Sequence, residues 1–230
     1  MSIMKYLNNF FLFILFGIIV SCGEEHSLRE ENYYIDNINK EWLIDDSINS
    51  NFTMIDNNGI SQSFNLQWIY NEMSKSVSKN FGITTLISYR EYISYSYTST
   101  YNSGFSISMT AATDNEDIQN GDVLTANVGN TAFRYDFTYN QVTDVYLNAG
   151  AISSIYTSEG LQSDTEILSK VELIDTLTVN NFQYKDILHF KLNDFTDSID
   201  NFDITEIYIS KNIGLIKYKY YNDIECYRVK

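Results

Sequence analysis

The side chains that most often carry out catalysis or bind metals are scarce in this chain. Only two histidines, His26 and His189, occur among its 230 residues. His189 stands in the apolar run Ile187-Leu188-His189-Phe190, where we expect a hydrogen-bonded structural histidine. A zinc site built from several histidines and a serine–histidine–aspartate triad are therefore both disfavoured. Because no nucleophile-elbow or phosphate-loop motif occurs either, we predict a non-enzymatic protein without a cofactor.

Carboxylates, in contrast, are abundant, with 30 Asp and Glu residues. Composition does not exclude a pair of catalytic carboxylates like that of a glycosidase, although no spacing of the acidic residues indicates one. Two acidic segments hold enough oxygen ligands for calcium but lack the EF-hand order, so we predict solvated loops and no metal site. These segments contain Asp114, Asn115, Glu116, Asp117, Asn120 and Asp122, and then Asp194, Asp197, Asp200 and Asp203. Asp-Ser/Thr-aliphatic triplets at 46–48, 175–177 and 197–199 resemble O-glycosylation sites of Bacteroidota and stay open as modification sites.

The first cysteine closes a segment that has the parts of a bacterial export signal. Lys5 supplies a positive charge, and an unbroken apolar run from Phe10 to Val20 follows. The run is too short to cross a bilayer, which takes roughly 20 apolar residues. It ends in Ile19-Val20-Ser21-Cys22, which resembles the lipobox of bacterial lipoproteins. The resemblance implies that residues 1–21 are a signal peptide and that lipid on the Cys22 thiol anchors the chain to a membrane.

Two further segments resemble lipoproteins of one bacterial group. Gly23-Glu24-Glu25 is similar to the acidic tract that follows the acylated cysteine in surface-exposed lipoproteins of Bacteroidota. The segment 180–188, with 206–209 and 214–217, resembles the C-terminal pattern of small uncharacterised β lipoproteins from the same bacteria. The resemblance implies a β domain held at the outer membrane by lipid, on the cell surface or on the periplasmic face. It assigns no chemistry.

The acidic balance of the chain restricts its partners. The formal net charge is −15 at pH 7, and a field of that sign repels nucleic acid and anionic lipid. We therefore expect contact with the membrane through the lipid anchor and no nucleic-acid partner. A small molecule, a glycan and a protein all stay open as ligands.

From Trp42 onward, short alternating runs are separated by Asn, Asp and Gly turns, which is typical of an all-β domain. We predict an acidic flexible tether over 22–41 and one antiparallel domain over 42–230. Its twisted sheet forms a sandwich or an open barrel, lipocalin-like or half-closed, with at most one or two short helices. Turns at 57–59 and 180–181 predict two of its hairpins, because Asn and Gly tolerate positive φ.

The strongest strand signal lies between residues 89 and 111, where side chains alternate with a period of two. A turn at Asn102-Ser103-Gly104 predicts a hairpin that pairs Tyr101 with Phe105 and Tyr97 with Met109. One face of this hairpin is then aromatic. Such a stripe packs more often in a core than it binds a ligand, and we keep both roles open. Its tyrosines are Tyr89, Tyr95, Tyr97 and Tyr101.

Two segments depart from the strand pattern. Ile69, Met73 and Val77 lie four residues apart, which favours a short helix over Trp68–Phe81. Glycines and serines between residues 144 and 168 favour a loop or another short helix there.

The last hairpin determines the environment of the second cysteine. A two-residue turn at Asn222-Asp223 sets Cys226 opposite Lys219, on a face that also carries Lys217 and Arg228. Nearby cations favour an exposed thiol with thiolate character. Because lipid occupies Cys22, we predict a partly exposed Cys226 without an intramolecular disulfide.

Three classes of function remain compatible with these features. The first is a non-enzymatic envelope lipoprotein that binds a ligand or partner on a concave, tyrosine-lined face. The second is a structural accessory subunit of an outer-membrane complex. The third is a glycan-active enzyme, which has the least support because it requires two carboxylates about 5–10 Å apart in one cleft.

Overall fold

A computed structural model of the chain describes residues 29–45, 51–80, 83–100, 104–115, 118–147, 150–151, 169–192 and 203–229. The backbone divides into two compact units. The described part of the smaller unit comprises residues 29–31, 76–80 and 83–88. The larger unit contains the other described residues.

Strands account for nearly all of the described structure. They are β1 Arg29–Tyr33, β2 Asn51–Asp56, β3 Ser61–Asn80, β4 Ile83–Ser99, β5 Phe105–Thr110, β6 Thr113–Asn115, β7 Ile118–Asn120, β8 Val123–Val128, β9 Thr131–Asp136, β10 Gln141–Leu147, β11 Gly150–Ala151, β12 Ser169–Val179, β13 Phe182–Leu192, β14 Ile204–Ser210, β15 Gly214–Tyr220 and β16 Glu225–Val229. One four-residue helix, α1, spans Asn37–Lys40. The predicted all-β fold is therefore confirmed.

A single sheet joins most of the strands in the order β11-β10-β9-β8-β5-β4-β3-β2-β16-β15-β14-β13-β12, with β1 added to β4. The strands β6 and β7 form a separate pair. Most neighbours in the large sheet are hairpins of consecutive strands. The exceptions are the pairings of β1 with β4, of β5 with β8 and of β2 with β16. The last of these joins a strand near the start of the described chain to the last described strand.

Within the larger unit the sheet curls back toward itself. The strands β10 and β12 stand near opposite ends of the order, yet they contact each other. Phe133 of β9 stacks on Phe190 of β13 with ring centroids 5.4 Å apart. The backbone N–H of Ile204 donates a hydrogen bond of 3.2 Å to Thr131 Oγ1. A core therefore forms between strands that are far apart in the sheet order.

Alternate side chains of these strands fill the concave side. Phe64, Phe105 and Tyr218 are among the fully buried residues, and each such side chain contributes roughly 1.5–3 kcal/mol through removal from water. The Tyr218 hydroxyl donates a 2.6 Å hydrogen bond to Gln62 Oε1. This bond satisfies the polar end of the ring, which would otherwise be costly to bury.

A second, smaller apolar cluster lies on the opposite face of β12 to β15. Ile187 belongs to this cluster, whereas its neighbour Leu188 belongs to the main core, since successive residues of a strand point to opposite faces. The register shifts between β14 and β15, where Tyr208 pairs with Lys217 and Ile209 with Leu215. This bulge inserts Ile216 as an extra residue, and its side chain is buried in the second cluster.

The helix predicted over residues 68–81 is wrong, because the described part of this segment continues β3. Trp68, Ile69 and Tyr70 are three consecutive apolar residues, and all three are exposed. No face of the strand is buried here, so nothing imposed a period of two on the sequence. The four-residue spacing of the other apolar residues therefore did not report a helix. The segment 144–168 continues β10 and enters β11 before it passes outside the described residues.

The hairpin between β4 and β5 forms with a different register from the predicted one. Tyr97 pairs with Phe105 and Ile93 with Met109, so seven residues (98–104) separate the last paired residues, where three (102–104) were predicted. The connection is longer by four residues, an even number. The same side chains therefore stay on the core face even though their partners change.

The predicted register of the last hairpin is also wrong, and here the faces change. Cys226 pairs with Tyr218 and not with Lys219, because the turn comprises residues 221–223, with the Tyr220 N–H donating to the Ile224 carbonyl. A one-residue slip reverses every side chain of a strand. Cys226 is consequently buried, with only 5% of its surface exposed, and burial raises the pKa of its thiol to about 11.

The described residues include part of the segment before the predicted boundary at residue 42. The segment that includes β1 and α1 is described, and Ile35 between them is buried. Glu91 of β4 accepts hydrogen bonds from the Ile35 backbone N–H at 2.9 Å and from Lys40 Nζ at 2.7 Å. The C-terminal half of the predicted tether is thus part of the fold. The predicted signal peptide and Cys22 lie outside the described residues.

Candidate binding surface

The tyrosines that we predicted as a binding face are placed differently from one another. Tyr95 and Tyr97 are buried in the main core, and the Tyr97 ring lies 5.7 Å from that of Phe105. Tyr89 is half-buried, and Lys75 Nζ lies 5.9 Å from its ring centroid. Tyr101 lies outside the described residues. The two central rings therefore pack the interior of the larger unit and do not line an open cleft.

A group of exposed apolar residues lies on β3. Nine consecutive residues, Gln67 to Lys75, are exposed although they form a continuous strand. Four of them are large apolar residues, with exposed fractions of 51% for Trp68, 42% for Ile69, 48% for Tyr70 and 37% for Met73. Isolated exposed apolar residues are ordinary on a protein surface, but a contiguous group marks an interaction site.

The strand presents its apolar residues on both faces. Trp68 and Tyr70 are two residues apart and share one face, with ring centroids 5.9 Å apart. Ile69 and Met73 occupy the other face. Glu72 and Lys75 are the only charged residues between Gln67 and Lys75, so the surface has little charge of its own.

One backbone edge of this part of β3 is open among the described strands. On one side β3 neighbours β4, whereas on the other side β2 pairs with it only from Ser61 to Asn65. Asn51 Oδ1 accepts a hydrogen bond from the Leu66 N–H, and beyond this point no described strand continues the sheet. An edge of this kind carries a row of backbone donors and acceptors that a further strand can use.

Sequence reasoning missed this surface because it assigned the segment to a helix. One available signal was the run Trp68-Ile69-Tyr70, which combines three residues with high β propensity. Such a run without alternation is expected either in a strand buried on both faces or in a strand exposed on both faces. The sequence alone does not distinguish these two cases.

His189 lies in a polar cross-strand network in the larger unit. Glu172, His189, Tyr208 and Lys217 are successive register partners across β12, β13, β14 and β15. The His189 ring stacks on Tyr208 with centroids 4.0 Å apart. His189 Nε2 lies 3.0 Å from Glu206 Oε2, which also accepts a 2.6 Å hydrogen bond from the Tyr208 hydroxyl. The predicted structural, hydrogen-bonded histidine is therefore confirmed.

The pKa values in this network favour a neutral histidine beside an ionised glutamate. Burial lowers the pKa of His189 and outweighs the opposing effect of Glu206. Burial alone would raise the pKa of Glu206, but hydrogen bonds with Tyr208 and His189 hold it below its ordinary value. The side chains satisfy one another, so the arrangement stabilises the pairing of β13 with β14 and offers no free base for catalysis.

Two of the acidic residues that we considered as alternative calcium ligands, Asp122 and Asp203, lie in the interior. Asp122 is buried, and its carboxylate accepts hydrogen bonds from the backbone N–H groups of Asp36 and Ala112 and from Asn39 Nδ2, at 2.8–2.9 Å. Asp203 is also buried. The described residues contain no group of three or more His, Cys, Asp or Glu side chains arranged to hold a metal ion.

A depression of about 400 Å³ lies beside the second apolar cluster. Glu41, Lys185, Asp186 and Lys211 are among its lining residues. Lys211 Nζ forms an ion pair with Glu41 Oε2 at 3.0 Å and lies 5.2 Å from the ring centroid of Trp42. The depression is open to solvent, and the one ion pair shown among its lining residues joins Lys211 to Glu41.

No helix in the described part of the chain has the length and apolar character needed to cross a bilayer. Comparisons with protein-family models, with curated proteins and with solved structures find no match to this chain.

Proposed function

We propose that this protein is a lipid-anchored, non-enzymatic lipoprotein of the bacterial outer membrane that binds a partner through the exposed edge of β3. One observation carries the proposal: the strand from Gln67 to Lys75 exposes four large apolar side chains beside a backbone edge that no described strand covers. Burial of each large apolar side chain contributes roughly 1.5–3 kcal/mol. Covering this surface is therefore a substantial source of binding free energy.

The anchor in this proposal rests on the N-terminal sequence. The apolar run that ends at Ile19-Val20-Ser21-Cys22 has the order of a lipoprotein signal. Two or three acyl chains hold a protein at a membrane essentially permanently, since each buried methylene contributes about 0.8 kcal/mol. A partner would then be bound at the membrane surface, where both molecules are concentrated.

Methionine oxidation tests whether a partner covers β3 in the cell envelope. Met73 is exposed, whereas Met54 and Met109 are fully buried, so one chain contains both the reporter and its controls. We expect dilute hydrogen peroxide to oxidise Met73 rapidly in the purified, dilute lipoprotein and slowly in the intact envelope, because a bound partner excludes the oxidant. The buried methionines should react slowly in both samples. Equal rates for Met73 in the two samples would contradict the proposed binding surface.

The anchor is tested separately by the intact mass of the mature chain. We expect a chain that begins at Cys22 and carries diacylglycerol and an acyl group. A Cys22→Ser chain should lack this lipid and should remain uncleaved or leave the membrane fraction. A wild-type chain with an unmodified terminus would contradict the anchor and would leave the β3 surface untouched.

A further inference from the structure

The chain contains two Asn-Gly dipeptides, and they lie in opposite environments. Asn58-Gly59 lies in the turn between β2 and β3, whereas Asn120-Gly121 lies where β7 ends and the chain turns into β8. Asparagine is among the chemically labile residues of proteins. A following glycine increases this lability, because a residue without a side chain leaves its backbone nitrogen free to approach the asparagine amide. The surroundings of each dipeptide therefore decide whether the asparagine reacts in the folded protein.

The reaction is an intramolecular deamidation, and its only co-reactant is water. The backbone nitrogen of the glycine attacks Cγ of the asparagine and forms a new N–C bond. The bond from Cγ to the side-chain nitrogen breaks, and that nitrogen takes up the proton lost by the glycine nitrogen and leaves as ammonia. Water then opens the cyclic imide at either of its carbonyl groups. The product is aspartate or isoaspartate, each with an ionised carboxyl group in place of the neutral amide.

Open surroundings favour this reaction at Asn58. Four consecutive residues, 57–60, are exposed. A Cβ added at Gly59 would meet no atom within 4 Å, and its φ of 84° is a conformation that glycine adopts without steric cost. Among the described residues, none is hydrogen-bonded to the side-chain amide of Asn58. This amide can therefore rotate toward the Gly59 nitrogen, and water reaches both groups.

The hydrogen bonds of the turn oppose the attack only weakly. The Gly59 N–H donates a 3.0 Å hydrogen bond to the Asp56 carbonyl. Asp56 Oδ1 also accepts hydrogen bonds from the N–H groups of Asn58 at 2.9 Å and of Ile60 at 2.7 Å. Attack by the Gly59 nitrogen requires the first of these bonds to break. Because water replaces the lost partner at an exposed turn, the bond slows the reaction by about tenfold or less.

Packing protects the second dipeptide. Gly121 is buried, and a Cβ added there would lie 2.0 Å from Thr138 Oγ1 and 2.6 Å from the Thr138 backbone nitrogen. The Gly121 nitrogen has no room to swing toward the side chain of Asn120 while the turn after β9 stays in place. Reaction at Asn120 therefore requires local opening of this part of the fold, and the free energy of that opening limits its rate.

We propose that Asn58 is a site of spontaneous deamidation in the folded protein, with Gly59 as the attacking residue. The new carboxylate lies in the same turn as that of Asp56, so like charges approach each other. Isoaspartate also adds a methylene group to the main chain between residues 58 and 59. Asp56 Oδ1 then loses the geometry in which it accepts both N–H groups. The modification thus loosens the turn between β2 and β3 as the protein ages, independently of the lipid anchor and of the β3 surface.

Peptide mapping of the purified full-length protein tests the site. Samples are incubated at neutral pH in buffer and in guanidinium chloride, and aspartate and isoaspartate are located by digestion and electron-transfer mass spectrometry. In the unfolded chain, Asn58 and Asn120 should react at similar rates, because each precedes glycine. In the folded protein, Asn58 should keep its unfolded rate to within about tenfold, whereas Asn120 should react at least about 100-fold more slowly than when unfolded.

Asn57 is a matched control within the same turn. It is as exposed as its neighbour, but it precedes Asn58, whose side chain hinders the attacking nitrogen. It should therefore react more slowly than Asn58 in both samples. Protection of Asn58 in the folded protein to the same degree as Asn120 would overturn the proposal. Equal rates for Asn57 and Asn58 would also overturn it, because Gly59 would then have no special role.

Two glutamine variants provide a second measurement. Glutamine has one more methylene group, so attack by the next nitrogen closes a larger ring and is slow. During incubation of the folded protein, isoelectric focusing should show a more acidic species that accumulates in the wild type and in Asn120→Gln but not in Asn58→Gln. Accumulation of this species in Asn58→Gln at the wild-type rate would overturn the assignment to Asn58.

Discussion

The contact between Phe133 and Phe190 tests the curling of the sheet directly. Phe133 lies on β9 and Phe190 on β13, far apart in the strand order, yet their rings stack 5.4 Å apart and both are fully buried. Replacement of either ring by leucine should destabilise the protein by roughly 1.5–3 kcal/mol, between the cost of a volume-conserving swap and that of truncation to alanine. An aromatic pair contributes about 0.5–1.5 kcal/mol beyond its buried area. The double variant should therefore lose less stability than the sum of the losses in the two single variants, and the difference should be about equal to this aromatic contribution.

The assay is equilibrium unfolding in guanidinium chloride of the wild-type, two single and double-variant chains, read by the fluorescence of buried Trp42. A matched control replaces Phe190 together with Phe64, which is also fully buried but stacks on Phe52. Effects in this control pair should add to within about 0.3–0.5 kcal/mol. Strict additivity for Phe133 and Phe190 as well would refute the reasoning, because it would mean that β9 and β13 do not meet across a common core.

Three further outcomes follow from the structure. The thiol of Cys226 should react with a disulfide reagent at least about 100-fold more slowly in the folded protein than after unfolding. The reason is that its pKa of about 11 in the folded protein lowers the thiolate population by about two orders of magnitude. Comparable reaction rates in the folded and unfolded chains would contradict the burial of Cys226. Gly214→Ala should destabilise the protein by more than about 1 kcal/mol and by more than Gly59→Ala does. Both glycines have positive φ, but only at Gly214 does an added Cβ come within 2.8 Å of a side-chain atom of Ile44. Equal losses of stability for the two variants in thermal unfolding would contradict the steric argument. Burial lowers the pKa of His189, so as the pH falls the unfolded chain binds a proton at His189 before the folded protein does, and the stability contributed by the neutral imidazole is complete above its ordinary pKa of about 6.5 and decreases below it. The free energy of unfolding of the His189→Gln variant should therefore fall less steeply between pH 7 and pH 5 than that of the wild type. An unchanged dependence of this free energy on pH would count against a buried neutral imidazole.

The fold class and several hairpins were predictable because local turn chemistry determined them. Asn180 and Asn181 both adopt positive φ, as a two-residue hairpin turn requires, and the flanking strands pair in the register that this turn imposes. Gly59 likewise has positive φ in the turn between β2 and β3. At these positions the residue types tolerate the positive φ that the turns require.

The registers that were wrong depended on loop length, which alternation does not determine. The last turn uses Tyr221, Asn222 and Asp223, with positive φ at Asp223. A turn of two residues at Asn222 and Asp223 was equally compatible with the apolar pattern. The difference of one residue moved Cys226 from the predicted cationic face into the core.

The candidate binding surface could not be predicted because its residues follow no buried face. Sequence patterns report burial, and a strand that is exposed on both sides has no periodic requirement for apolar residues. Trp68 and Tyr70 were therefore assigned to a helix and not to a binding surface, while Tyr95 and Tyr97, which alternate regularly, were considered for binding and are buried. Regular alternation in this chain marks the core, and its loss marks the surface.

The pairing of β2 with β16 links the folding of this protein to its biosynthesis. β16 is the last described strand to leave the ribosome, and until it arrives both β2 and β15 present open edges. Pairings between such distant parts of a chain form slowly, so the sheet cannot be completed while the polypeptide is still being made. A chain without a finished sheet can still be threaded through a secretion channel in extended form. A chain truncated before Glu225 would keep both edges open permanently, and we expect aggregation to replace folding.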